Sequence, residues 1–414
     1  MLSLLNQLKH RQRVIIESGF SLIEIMVGMV IGMMGIIAMM QVASLSEAQR
    51  RSTVGGGDAL NSGAIVMYGL QREVDQAGLG ISDSSLVGCD VQLPSGITLA
   101  TLAPVTINHP SITGQDANTD TLLIVYGNGN GTPQGDVINS QPLTIAVPVA
   151  ANNPDIYNVS TPSAFCPNGV SPTVLSNDCQ NTPTSPVPPP DWVIAVSPGL
   201  QALPRPTCAA ASRLFMTQVV WSDRNSSNVI VTTGQGQAGM SGGRLFNMGR
   251  APSIIAYAIR SGRLTRCDYL TNNCGSTSNN ARADVWIPVA NDIVSLRAEY
   301  GRDTLTPVNS TSGQINAVLD TFDQVQPATN CAWTRVTSIR MALVARGGYD
   351  KSAPTSVAPV WAGSTVNSRT APLNPTALPI NLSAVTDWKN YRYKVFETVM
   401  PIRNMAWNGV PPQC

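Results

Sequence analysis

From Ile25 to Ala43 the chain carries no charged residue, and the run is dense in Met, Ile and Val. With Phe20–Ile23 ahead of it, the segment is long enough as a helix to cross a hydrocarbon core of ~30 Å. Lys9, His10, Arg11 and Arg13 precede it, against a single acid, Glu17. A positive flank of this kind stays in the cytoplasm and sends the C-terminal part outward. Three fates fit such a run. It is a secretory signal cut after Val42-Ala43-Ser44, an uncleaved anchor, or a helix retained after a cut ahead of it. Glu24 separates these readings. A carboxylate inside an apolar segment is costly and functional by default, and neither a plain signal nor a plain anchor uses one.

Gly19-Phe20-Ser21-Leu22-Ile23-Glu24 resembles the leader-peptidase site of type IV pilins and of type II secretion pseudopilins. The resemblance implies cleavage between Gly19 and Phe20, N-methylation of Phe20, and a role for Glu24 as the assembly carboxylate. Glu24 would then pair with a neighbouring subunit's Phe20 ammonium, offsetting both desolvation costs. Gly28 and Gly32 form a small-xxx-small pair that allows close helix packing. The alternative is that glycine is simply common in membrane helices.

After Ala43 the chain turns polar, and Gly55-Gly56-Gly57 predicts a flexible joint. Leu60, Ala64, Met67, Leu70, Val74 and Ala77 then lie on one apolar stripe, ended by Gly78 and Gly80. The stripe is expected to bury against the head's sheet; the alternative is an exposed stripe meeting neighbouring subunits. Beyond Ile81 strands are predicted at Thr121–Tyr126, Trp192–Val196, Leu214–Trp221 and Val229–Thr232. Ile254–Ile259, Ser261-Gly262 and Leu264 read as a hairpin. Ile293–Tyr300 alternates Val294, Leu296, Ala298 and Tyr300 on one face. Thr334–Arg346 alternates Ile339, Met341, Leu343 and Ala345 against Arg340 and Arg346, and Tyr391–Ile402 is the last strand. With 34 Gly, 30 Pro and only 12% charged residues, the composition is that of an exported β protein. The expected fold class is α+β: a long N-terminal helix, then a large antiparallel β-rich head, with room for two β lobes. The divisions are a leader 1–19, a membrane helix 20–44, a soluble amphipathic helix 45–80 and a head 81–414. A Pro-rich loop spans about 150–206 of the head.

Eight cysteines without a CxxC pair argue against zinc or thioredoxin chemistry and for disulfides in an oxidising compartment, free buried thiols being the alternative. Proximity suggests Cys166 with Cys179 and Cys267 with Cys274. No catalytic set is expected. His109 would be the mature chain's one histidine, in a loop, and no nucleophile elbow accompanies it. Gly127–Gly131 lacks the signature of a phosphate loop and reads as a wide turn. Asp116, Asn118 and Asp120 begin like a calcium loop but have Thr121 and Gly127 where Gly and Glu belong, so turn capping competes with a looser calcium site. The Asp320 and Asp323 pair is read the same way, and Asn309-Ser310-Thr311 reads as loop composition. No metal and no cofactor are expected. A net charge of +1, and Arg335, Arg340 and Arg346 without aromatic interleaving, give no reason to expect nucleic acid.

Asp292–Arg297, Tyr300-Gly301, Trp333–Arg346, Tyr391-Arg392, Phe396–Thr398 and Ile402–Asn404 resemble the C-terminal strands of PilW-type minor pilins. That resemblance implies a non-catalytic subunit that helps initiate type IV pilus assembly, at or near the tip, in a fibre that serves twitching. Its implied partners are the prepilin peptidase/methyltransferase, other minor pilins, the major pilin, the inner membrane and a tip adhesin. Its implied location is the inner membrane, single-pass with a periplasmic head, then the pilus at the cell surface. The alternatives are a minor pseudopilin of type II secretion and a membrane-anchored adhesin or binding module.

Overall fold

A computed structural model describes residues 19, 21–129, 131–141, 155–163, 190–201, 208, 213–223, 228–234, 237–303, 319, 321–349, 357–363 and 378–407. The chain falls into two compact units, Met1–Val54 and Gly55–Cys414. One helix, α1 (Leu22–Gln76), runs through the boundary. It continues through Gly55–Gly57, where a joint was expected. Three glycines cost about 1 kcal/mol each relative to alanine, but helix already nucleated on both sides propagates through them. It stops where Gly78 and Gly80 take φ of +87° and +80°, a region open to glycine. The Asn404 amide donates to the Gln76 and Ala77 carbonyls at 3.0 and 3.1 Å, satisfying acceptors the helix end leaves orphaned.

The head's strands follow in chain order: β1 (Val91–Gln92), β2 (Thr98–Leu99), β3 (Val105–Ile107), β4 (Leu122–Tyr126), β5 (Asp136–Ser140), β6 (Asp155–Val159) and β7 (Trp192–Val196). A short helix α2 (Pro198–Gln201) precedes β8 (Leu214–Asp223), β9 (Val229–Thr232), β10 (Arg244–Gly249), β11 (Ser253–Arg260), β12 (Arg263–Asp268), β13 (Ile287–Asn291), β14 (Ile293–Arg302) and β15 (Thr321–Asp323). Helix α3 (Asn330–Thr334) leads into β16 (Val336–Tyr349), then β17 (Val360–Trp361), β18 (Leu378–Pro379), β19 (Tyr391–Pro401) and helix α4 (Arg403–Trp407).

These strands make three main sheets. One has five strands in the order β13-β12-β11-β4-β3, and one has four in the order β15-β14-β16-β19. The third runs β8-β7-β10-β5-β6-β9 and closes on itself through a β8–β9 pairing, with β1 and β2 appended beside β8. Its interior is filled by Ile138, Tyr157, Val159, Val193, Ala195, Val219, Ile230 and Leu245. Strand β6 lies inside the stretch expected to be a Pro-rich loop, as does the expected β7. A second apolar layer, including Leu123, Val125, Ile254, Phe246, Met248 and Met216, fills the space between the five-stranded sheet and the ring.

The head portion of α1 packs on the other face of both open sheets. Ala59, Val66, Met67, Leu70, Val74 and Ala77 join Tyr257, Leu296, Ala298, Tyr300, Ile339, Met341, Leu343 and Met400 in one core. The expected stripe is rotated: Leu60 and Ala64 are exposed, and Ala59, Gly63 and Val66 are buried in their place. Gly63 sets the face, because any Cβ there would run into the Phe396 ring. On β14 a bulge between Ile293 and Ser295 turns Val294 away from Leu296, Ala298 and Tyr300. Val294 packs instead with Ala342, Val344 and Trp361 on the opposite face. That face too is covered, so Arg340 is buried rather than solvated.

Candidate assembly interface

Ser21 and Glu24 stand at the start of α1, and Glu24 is its first-turn acid. The Glu24 carboxylate accepts the Ser21 backbone N–H at 3.3 Å. This is the backward half of an S-x-x-E capping box, which satisfies a donor the helix start leaves free. The spacing was present in the sequence, and an argument from the burial cost of a carboxylate passes it over. Gly19 is exposed, and Phe20 lies outside the described residues.

Leu22–Glu47 is apolar enough to cross a membrane, and none of it is buried within the protein. Such a surface is unsustainable in water and calls for lipid or partner helices. Nothing lies within 4 Å of a Cβ built at Gly28, Gly32 or Gly35, so their flank is open to close approach. In the head portion of α1 a second apolar group, Leu60, Ile65 and Tyr68, is 46, 64 and 66% exposed.

The other sequence candidates have separate structural roles. His109 is buried, its Nδ1 accepts the Ser111 N–H at 3.2 Å, and burial lowers its pKa to about 4. The Asp116 carboxylate accepts the Ser261 and Gly262 N–H groups at 2.8 Å each, holding the β11–β12 turn whose two residues have φ of +51° and +68°. Asn118 is a turn residue at φ +61°. Asp120 points elsewhere. Its N–H donates to the Leu296 carbonyl at 2.8 Å, and its carboxylate accepts from Ala298 N–H at 3.0 Å and from the Asn108 and Gln324 amides. Asp120 thereby joins the two open sheets. The three residues do not converge, and no group of metal-ligating side chains occurs among the described residues. Gly127 and Gly129 press on the backbone of Asn247–Gly249, which leaves no room for a Cβ. Asp323 pairs with Arg302 at 2.7 Å; Asp320 and Asn309–Thr311 lie outside the described residues.

Cys267 and Cys274 form a disulfide. Cys166 and Cys179 lie outside the described residues. A second disulfide, Cys89–Cys208, ties residues 119 apart in sequence, which proximity could not suggest.

Sequence reading also missed a buried ionic group. Arg297 approaches Asp120 at 3.5 Å, and Arg340 donates through Nε to Glu299 at 2.8 Å and again through Nη2. Burial raises the Asp120 carboxyl's pKa, opposed by Arg297, and lowers that of the Arg297 guanidinium. Arg340 also stacks 3.9 Å from the Phe322 ring.

Residues 257–404 match the family described as PilW, Type IV Pilus-assembly protein W. The match supports a type IV pilus-related protein. It takes in β12 to β19, including one of the two sheets on which α1 packs and the Arg340–Glu299 pair. No curated protein and no solved structure matched the chain. The apolar helix near the N-terminus suggests membrane anchoring or a signal.

Proposed function

We propose that this chain is a non-catalytic minor pilin that helps initiate type IV pilus assembly as part of a tip or priming complex. The observation that carries the reading is one helix with two uses. Its first half is an uncovered apolar rod with a single carboxylate at its start; its second half seats on two sheets, one of which lies within the residues that match the pilus-assembly family. In this reading the prepilin peptidase cuts between Gly19 and Phe20 and Phe20 is N-methylated. Glu24 then exchanges its own cap for a neighbour's Phe20 ammonium, with Gly28 and Gly32 at the helix contact. The protein waits in the inner membrane with a periplasmic head, joins other minor pilins and the major pilin, and is carried to the cell surface.

The N-terminal residue of the protein from its host membrane, read by mass spectrometry, tests the reading. N-methyl-phenylalanine at Phe20 supports it; a start near Leu45 refutes it and leaves a free exported binding protein. Deletion then separates the two fibre systems. Loss of twitching fits the pilus, and loss of protein export fits a type II pseudopilin, which shares the same leader logic.

A further inference from the structure

Strand β19 stands at the edge of the four-stranded sheet, and β16 is its one partner among the described strands. The Ile402 N–H donates to the Thr337 carbonyl at 2.8 Å, in register with the β16–β19 pairs. Backbone groups alternate in direction along an antiparallel strand, so the even-numbered residues from Arg392 to Met400 bond to β16. The N–H and C=O groups of Tyr393, Val395, Glu397 and Val399 point to the open side, and none of them is hydrogen-bonded among the described residues. Other edges are blunted: β3 and β15 are 3 residues long each, and β13 contains Pro288, which has no N–H to offer. β19 has 11 residues.

Side chains alternate along the same strand. Phe396 and Met400 point into the core under α1, so Arg392, Lys394 and Thr398 share that face. Tyr393 and Val395 pack on the opposite face around Trp361, and Glu397 and Val399 share theirs. Arg392 and Lys394 are exposed, and among the described residues neither has a carboxylate partner.

A flank of α1 overlooks this edge. Gly63 lies against the Phe396 ring. On a helical wheel Leu60 falls about 60° to one side of Gly63 and Glu73 about 80° to the other. Glu73 accepts the Tyr126 hydroxyl at 3.0 Å, so its side faces the five-stranded sheet. The Leu60 side therefore looks past β19, and Asp75 on that side pairs at 3.7 Å with Arg403, just beyond the strand. Leu60 is 46% exposed and Ala64 is exposed as well. They are the apolar residues that the rotation of the helix stripe leaves uncovered.

We infer that β19 and the Leu60–Ala64 flank of α1 accept an extended segment of a partner protein as a further strand. On its helix-side face that segment carries acids beside Arg392 and Lys394 and apolar residues beside Phe396, under Leu60. In such strand addition the main-chain hydrogen bonds give affinity and the alternate side chains give specificity. A second copy of this chain is the poorer occupant. Opposed residues of an antiparallel pair share a face, so its β19 would bring a second Arg392 and Lys394 to the face that already holds two cations. The inference rests on the head unit alone and not on the fibre reading above.

The probe is the acetylated peptide Val-Lys-Val-Thr-Glu-Thr-Glu, whose antiparallel register sets its glutamates opposite Lys394 and Arg392 and its lysine opposite Glu397. Hydrogen exchange of the full chain in detergent, resolved by residue, should show the probe slowing the Val395, Glu397 and Val399 amides while their even-numbered neighbours, already bonded to β16, do not change. By fluorescence anisotropy, Lys394→Glu should weaken the probe about tenfold, and a probe with lysine in place of its glutamates should recover that loss. Val399→Pro removes one outward donor at an exposed position without touching the β16 ladder, and should weaken both probes. Uniform or absent protection overturns the inference, as does equal binding of the two probes to the parent chain or unchanged binding to Val399→Pro. Protection of the same amides without probe, rising with protein concentration, would assign the edge to a second copy and overturn it too.

Discussion

Replacing Arg340 by methionine removes one cation from a buried group of two acids and two bases. Arg340 and Glu299 side chains are 4 and 0% exposed, and Arg297 and Asp120 are 2 and 0% exposed. Arg340→Met leaves that group with a net negative charge and no water to hydrate it, a loss of about 3 kcal/mol. The double variant Arg340→Met/Glu299→Leu restores neutrality with apolar groups of similar volume. It should regain most of that loss, within about 1 kcal/mol of the parent. With an unfolding entropy of about 2.1 cal/mol/K per residue, a unit the size of Gly55–Cys414 shifts its Tm by a little over 1 °C per kcal/mol. The single variant should therefore melt about 4 °C lower and the double variant about 1 °C lower, followed by near-ultraviolet circular dichroism of the full chain in detergent. A double variant as unstable as the single one, or a single variant as stable as the parent, would refute the buried-charge argument.

Glu24→Gln keeps a capping side chain but not the charge, whereas Glu24→Ala removes both. If charge guides assembly, both variants are processed normally yet drop out of the fibre in pilus preparations; incorporation of Glu24→Gln alone would assign Glu24 to the cap. His109 is neutral in the folded head because its pKa is lowered from 6.5 to about 4, so the unfolded chain takes up the proton first on acidification. Stability should fall between pH 6.5 and 4 by up to about 3 kcal/mol from this group. That share should be missing in His109→Gln, read by urea unfolding at both pH values. Opening Cys89–Cys208, which spans 119 residues, should cost about 4–5 kcal/mol by loop entropy, against about 2.5 for Cys267–Cys274, which spans 7. Paired Cys→Ser variants compared in denaturant titrations check the order.

Where structure follows from local pattern, the sequence was a good guide. Trp192–Val196 is an apolar run between Asp191 and Ser197-Pro198 and is a strand with those bounds. Ser261-Gly262 marks a turn that needs two positive φ values, and the structure places them there. The failures are of other kinds. Gly63 carries no hydrophobic signal, yet its missing side chain chooses which face of α1 meets Phe396. Arg340 and Glu299 look like surface residues until both faces of their sheet are seen to be covered. The β8–β9 closure and the Cys89–Cys208 bridge join residues distant in sequence, which no window detects. Glu24 was legible in its spacing from Ser21, but it supports two readings, helix cap and assembly carboxylate, that spacing alone does not separate.

The closed ring of six strands bears on self-association. An open strand edge is a template for pairing with another copy of the same chain. In the ring the backbone donors and acceptors of each strand are turned toward its own neighbours. That lobe therefore presents chiefly side chains to whatever touches it, and little backbone on which a sheet could propagate.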